Sequence, residues 1–273
     1  MLRRTRRPKL PQAMSVSEAR AAGLTVKKNA KKSLKIGRKM TPENSPKMEK
    51  INYQKELEKI ISQFSQNQDG IKPSLLLHAC CGPCSSYVIE YLSGIFDITV
   101  YYYNPNIHPE NEYFRRLEEL KKFLTVFPNA LKNKVKLVVD DYNPEDFFAA
   151  TNVRNEVALQ KERERGERCR RCYRLRMSRS WDFACKNGFD WFTTTLSISP
   201  HKDSQMINEI GIALEKAKND GFAKTRFLVS DFKKKGGFLR STQLSDEYGL
   251  WRQDYCGCVF SMQNNKMEEN ENR

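Results

Sequence analysis

Three times between residues 75 and 147 the chain repeats one pattern: a short apolar run, a turn of small or polar residues, then a segment with apolar positions three and four apart. LLLHA leads into SSYVIEYLSG, DITVYYYNP into ENEYFRRLEELKKFLTVF, and VKLVVDDYNPEDF packs all three parts into one stretch. Continuous apolar runs of this length read as strands buried on both faces, and parallel strands need helical crossovers. A helical segment around RCRRCYRLRMSRSWDFACKNG, a strand FDWFTTT, a helix from about Asp203 to Asn219 ending at Gly221, and a strand in TRFLVSDF continue the alternation. The expected fold is α/β, a parallel sheet with helices on both faces. INYQKELEKIISQF, with Ile51, Leu57, Ile60, Ile61 and Phe64 near helical spacing, introduces it. Open sheets of this kind bind ligands beyond the carboxyl ends of their strands. Cys80, Asn104, His108, Asp140, Asp141 and the stretch from Ser197 to Asp203 all fall there, so four loops are expected to meet on one rim.

The formal charge of +15 suggests a nucleic-acid partner until its distribution is considered. Met1 to Lys50 holds 15 Lys and Arg against Glu18, Glu43 and Glu49, leaving only +3 downstream. That leader carries Pro8, Pro11, Pro42 and Pro46 and no sustained periodicity, so residues 1–47 are expected to be a disordered basic leader. Residues 48–262 form the α/β domain and 263–273 a disordered polar tail. No apolar run reaches the roughly 18 residues that cross a bilayer, and the N-terminus lacks the apolar core of a secretion signal. A cytoplasmic protein without a membrane partner is expected.

Seven of the eight cysteines fall in three groups, HACCGPCSS (Cys80, Cys81, Cys84), CRRC (Cys169, Cys172) and CGC (Cys256, Cys258). Cys185 stands alone and reads as a core residue. A reducing compartment disfavours structural disulfides, so grouped thiols point to metal ligation or thiol redox chemistry. Four thiolates suit Zn²⁺ or a [4Fe-4S] cluster. Position on the functional rim and two surplus thiols favour iron over a structural zinc.

LLLHACCGPCSSYVIEYL, YYYNPNIHPENEYFRRLEEL, ERCRRCYRLRM, FDWFTTTLSISPHKD and YGLWRQDYCGCVFS, spread from Leu75 to Ser261, together resemble the QueH family of epoxyqueuosine reductases. The resemblance implies a Rossmann-like fold related to adenine nucleotide alpha hydrolases, with the turn ACCGPCSS where those relatives hold ATP phosphate. It implies reduction of epoxyqueuosine to queuosine at the wobble base of tRNAs with queuosine-type anticodons, the last step of that modification, using electrons from an unidentified donor. It further implies that Cys80, Cys81, Cys169 and Cys172 bind a [4Fe-4S] cluster, and that Cys256 and Cys258 act as a redox pair or as ligands of an additional iron.

Turning an epoxide into an alkene takes two electrons, protons and loss of oxygen as water. A thiolate-bound cluster can supply the electrons, and a side chain must supply protons. Asp141 and His201 lead the rim candidates, ahead of His108, Asp203 and Asp254. Asp141 reads equally as the cap of a helix beginning near Pro144, and His78 as a hydrogen-bonded buried histidine. The nine Lys and Arg within KERERGERCRRCYRLRMSR, and the KKKGG loop at Lys233 to Gly237, are candidate phosphate contacts. Tyr101, Tyr103, Phe238, Tyr248 and Trp251 are candidate stacking residues for a splayed base. Two rivals remain at this point: a cluster-dependent tRNA thiolation enzyme, which needs ATP, and a zinc-stabilised RNA-binding module without catalysis.

Overall fold

The computed structural model describes residues 13–15, 50–64, 71–217 and 224–262. Six strands form one all-parallel sheet: β1 (Ala13–Ser15), β2 (Ser74–His78), β3 (Asp97–Tyr102), β4 (Lys136–Val139), β5 (Trp191–Thr194) and β6 (Arg226–Phe227), in the order β1-β4-β3-β2-β5-β6. The α/β architecture expected from the alternation is the one that forms. Ala13–Ser15, which pairs with Leu137–Val139 at the sheet edge, is the described part of the basic leader. The remainder of the leader and the polar tail lie outside the described residues.

Helices flank the sheet: α1 (Tyr53–Phe64), α2 (Gly82–Leu92), α3 (Glu110–Val126), α4 (Pro128–Lys132), α5 (Pro144–Thr151), α6 (Glu167–Lys186), α7 (Ser204–Ala217) and α8 (Gly237–Glu247). Successive strand residues point to opposite faces, and the core divides accordingly. Leu75, Leu77, Ile98, Val100 and Tyr102 pack with Leu57, Val88, Leu120 and Leu244 on one side. Leu76, Tyr101 and Val138 pack with Tyr173, Met177, Trp181, Ile207 and Ile210 on the other. No helix among the described residues is long and apolar enough to cross a membrane.

From β2 the chain winds through β3 to β4, then crosses to β5 on the other side of β2. The winding direction therefore reverses between β2 and β5, where His78 lies opposite Thr194. Loops leaving such a reversal diverge and leave a crevice. Here those loops are the Cys80–Cys84 turn and the 195–203 segment.

Two stretches differ from expectation. The strand read in TRFLVSDF is only Arg226–Phe227, because β6 is an edge strand paired with β5 alone. KKKGG, read as a basic loop, runs instead into a helix: Gly237 begins α8, and a Cβ there would lie 2.0 Å from Phe232 O. The glycine serves the close approach of the chain to itself.

Candidate functional site

The first thiol group forms where β2 ends and α2 begins. Cys81 is the N-cap residue of α2, and its Sγ accepts from Cys84 N at 3.3 Å and Gln253 Nε2 at 3.2 Å. Cys80 Sγ lies 3.8 Å from Cys81 Sγ and 3.8 Å from Thr195 Oγ1. The sulfurs of Cys80, Cys81 and Cys84 are all within 4.8 Å of one another, close enough to share one metal ion. Hydrogen bonds from the Cys81 and Cys84 thiols, with the positive charge of Lys202 and Arg176 nearby, pull the Cys80 pKa well below its usual range. Burial pushes Cys81 up to about 12. The trio thus favours one thiolate held by two thiol donors, a state that a cation at the helix N-terminus or a metal stabilises further.

The second group joins α6 to the CGC loop. Glu162 holds the start of α6 by accepting from Glu167 N at 2.8 Å and Arg168 N at 2.7 Å. Cys169, Cys172, Cys256 and Cys258 line one cavity of about 20 Å³ together with Asn106, Arg168, Arg176 and Lys202. The CGC loop is fixed from three directions. Arg116, ion-paired with Glu112 at 2.6 Å, donates to Cys256 O and Tyr255 O, both at 3.2 Å. His108 N donates to Gly257 O at 2.8 Å. Tyr255 hydroxyl donates to His108 O at 2.5 Å. A hydrogen bond from Cys258 lowers the Cys256 pKa to about 6, aided by Lys202, while Cys258 is pushed up.

A larger cavity of about 210 Å³ connects the groups, since Cys84 and Cys256 both line it. His201, Lys202, Glu164, Arg252, Asp254, Tyr255 and Phe238 line it too. Arg165, in the left-handed backbone region at φ 73°, donates to Pro200 O and to His201 O, the latter at 3.3 Å. That clasp seats the His201–Lys202 turn against the segment that leads into α6. A non-glycine residue in this conformation is uncommon and marks a constrained turn.

The donor set suits a metal bound by thiolates. Arg168 and Arg176 are both about 1% exposed, make no ion pair with a described carboxylate, and leave their Nε atoms without an acceptor. Buried cations require buried negative charge. Thiolates supply it, free or bound to a metal, whereas neutral thiols or a disulfide do not.

Of the residues singled out in the sequence, all six motif cysteines stand in these two groups. Cys84, which the resemblance left without a role, stands with them. Cys185 packs half-buried against the core instead. His201 lines the larger cavity; Asp141 is exposed and lines neither cavity. Asn143, not Asp141, caps α5, accepting from Glu145 N at 3.2 Å. His78 is buried between Thr194 Oγ1 at 2.8 Å and Tyr103 O at 3.2 Å, and burial lowers its pKa to about 3, so it stays neutral. Lys202, Glu164 and Arg252 lie inside segments the sequence singled out but had no role of their own there, since nothing local says which way a charged loop residue faces.

Four of the nine basic residues of the KERERGERCRRCYRLRMSR run turn inward. Arg168 donates to Leu159 O and Gln160 O, Arg171 pairs with Glu156 and Glu167, Arg176 with Asn104, and Arg179 with the fully buried Asp140. Lys161, Arg163, Arg165, Arg170 and Arg174 keep exposed positions. In the second basic stretch Lys233 pairs with Asp231 and Lys235 with Glu58, both at 2.6 Å. Tyr101 and Tyr103 are buried, with hydroxyls donating to Asp140 and Asp146. Tyr248 packs edge-on against Phe123 and Phe127. Trp251 lies under Arg115 at 3.6 Å. Phe238 lines the larger cavity, with Arg252 above its ring, and none of the other stacking candidates lines either of these two cavities.

Comparison with known proteins agrees with this geometry. A family model described as epoxyqueuosine reductase QueH matches residues 75–264. The chain is 40% identical over 213 residues to the epoxyqueuosine reductase QueH of Streptococcus pyogenes serotype M1, covering 78% of this chain and 79% of that one. It is 40% identical over 215 residues to the protein of that name from Staphylococcus epidermidis, covering 79% and 86%. A third, from Haemophilus influenzae, is 34% identical over 248 residues, covering 86% and 95%.

Proposed function

Because the chain belongs to the QueH family of epoxyqueuosine reductases, we propose that it is an oxidoreductase that reduces epoxyqueuosine to queuosine at the wobble position of tRNA. The observation that carries this reading is the pair of thiol groups, Cys80, Cys81 and Cys84 in one and Cys169, Cys172, Cys256 and Cys258 in the other, with a larger cavity bounded by a thiol from each. Cys80, Cys81, Cys169 and Cys172 are the proposed ligands of a [4Fe-4S] cluster, with Cys256 and Cys258 as a redox pair or the ligands of an additional iron. When bound, the cluster supplies electrons at a potential that no side chain reaches.

The protein's own residues do the rest. Phe238 and Arg252 at the cavity wall offer a stacking face and a cation to a nucleoside leaving its stack. Lys202 sets positive charge where the epoxide oxygen gains negative charge as its C–O bonds break. His201 is the proton donor favoured by placement. Asp141, which ranked beside it in the sequence, lies outside both cavities. The tRNA substrate places the protein in the cytoplasm, with the electron donor an external reductant.

Thiolation and zinc-module readings lose ground on specific observations. The Cys80–Cys84 turn puts thiols where an ATP-activating enzyme needs a phosphate cradle, and the relatives carry the reductase name. Mass spectrometry of tRNA nucleosides from a strain deleted for this protein tests the proposal. Epoxyqueuosine is expected to accumulate at the expense of queuosine, and wild-type queuosine levels in a strain with no second such enzyme would refute it.

A further inference from the structure

Asn104 and Arg176 form a buried polar pair to which the proposed reaction gives no role. Asn104 follows β3, and Arg176 lies on α6 one turn after Cys172; each is about 1% exposed. Asn104 Nδ2 donates to Ala79 O at 2.9 Å, and Arg176 Nη2 donates to Asn104 Oδ1 at 2.6 Å. Ala79 immediately precedes Cys80. Two hydrogen bonds therefore run from the Cys80 turn, past the end of β3, to the helix that carries Cys172.

The basic run around Arg176 suggested phosphate contact, but a side chain this deeply buried cannot reach a phosphate. Its charge faces inward, to the cavity shared by Cys172 and Cys256. No described carboxylate pairs with it, and its Nε has no acceptor. An unpaired guanidinium in that position is strongly unfavourable unless an anion lies opposite. Residues four apart on a helix are neighbours, so Cys172 is the nearest candidate on its own element. Cys80, in the turn after β2, also feels its charge.

We propose that Arg176, held by Asn104, is a positioning residue that fixes Cys172 against the Cys80 turn and supplies the charge that balances an anionic metal–thiolate group between them. This rests on the reading of these thiols as metal ligands. A strut of purely structural value would alter stability and leave the electronic properties of the bound group alone. A charge-balancing residue alters the reduction potential, because a nearby fixed cation favours the state with one more electron.

The test uses the full chain, purified and reconstituted without oxygen, with Arg176→Met, Arg176→Lys and Asn104→Ala. EPR-monitored redox titration of Arg176→Met is expected to show at least about a tenfold smaller equilibrium constant for one-electron reduction, a midpoint about 59 mV lower. Arg176→Lys should recover most of that loss, and Asn104→Ala should fall between. An unchanged midpoint in Arg176→Met, or an equal loss in Arg176→Lys, overturns the proposal. Should Arg176→Met fail to fold, an unshifted Asn104→Ala overturns it instead. Hydrogen exchange of residues 79–84 in metal-free protein is the second readout. Asn104→Ala should accelerate it by about tenfold, as expected when a buried hydrogen bond that restrains the turn is lost. A colourless wild-type protein with that acceleration discards the metal reading and keeps the strut, whereas unaltered exchange removes the strut itself.

Discussion

Replacing Cys80 or Cys172 by alanine is expected to remove the brown colour, the iron and all measurable epoxide reduction together. Each thiol belongs to a different segment, one at the end of β2 and one on α6, yet both border the crevice where the winding of the sheet reverses. Loss of either leaves fewer than four thiolates in the proposed set, and a cluster of about four irons per chain needs all of them. Cys185→Ala is the matched control. Its side chain packs against the core on the sheet face of α6, away from both cavities. That change should leave iron and turnover intact and lower stability by about 1 kcal/mol. Iron analysis and absorption spectra of the three variants, purified without oxygen, decide the matter. Retained iron in Cys80→Ala would remove Cys80 from the ligand set.

Gly257→Ala is expected to cripple turnover without removing a single reactive group. Gly257 has φ 104°, which an L side chain rarely adopts. A Cβ there would also sit 2.9 Å from Ile107 Cγ1 and 3.0 Å from Arg116 Nη1. The loop has little room to yield, because Arg116, His108 N and the Tyr255 hydroxyl already hold it. Strain of about 1–3 kcal/mol should appear in the melting temperature. Displacing Cys256 and Cys258 by about 1 Å should cost on the order of a hundredfold in turnover. Gly94→Ala, at a position with open space and no left-handed backbone, should change neither quantity. Near-normal turnover in Gly257→Ala would mean that the CGC loop takes no part in the reaction.

The contrast between these two glycines shows what the sequence could convey. Strand-turn-helix alternation is legible because periodicity is a local property, and it alone places Cys80, Asn104 and Ser197 to Asp203 on one rim. The thiol groups were legible because short spacings such as CC, CRRC and CGC are themselves local. Direction along α6 was not. Its Lys and Arg residues look alike in sequence, yet Arg168 and Arg176 are buried beside thiols while Arg174 is exposed. Only contacts with Leu159, Asn104 and the cavity separate them. Lys202, within the Ser197 to Asp203 stretch, and Glu164 had no role of their own in the sequence for the same reason, and α8, whose start is set by the fit of Gly237 against Phe232 O, was not legible there. Asp141 and Asp140 show the opposite error. They are adjacent in sequence, but Asp140 is buried under Arg179 and Tyr101 while Asp141 faces solvent.

The most direct test of the account is a single-turnover assay with protein purified without oxygen, a strong low-potential reductant and tRNA carrying epoxyqueuosine. Nucleoside mass spectrometry should show queuosine formed at one equivalent per active site, with loss of one oxygen atom. An iron-loaded, reduced protein that binds this tRNA and leaves the epoxide intact would contradict the account.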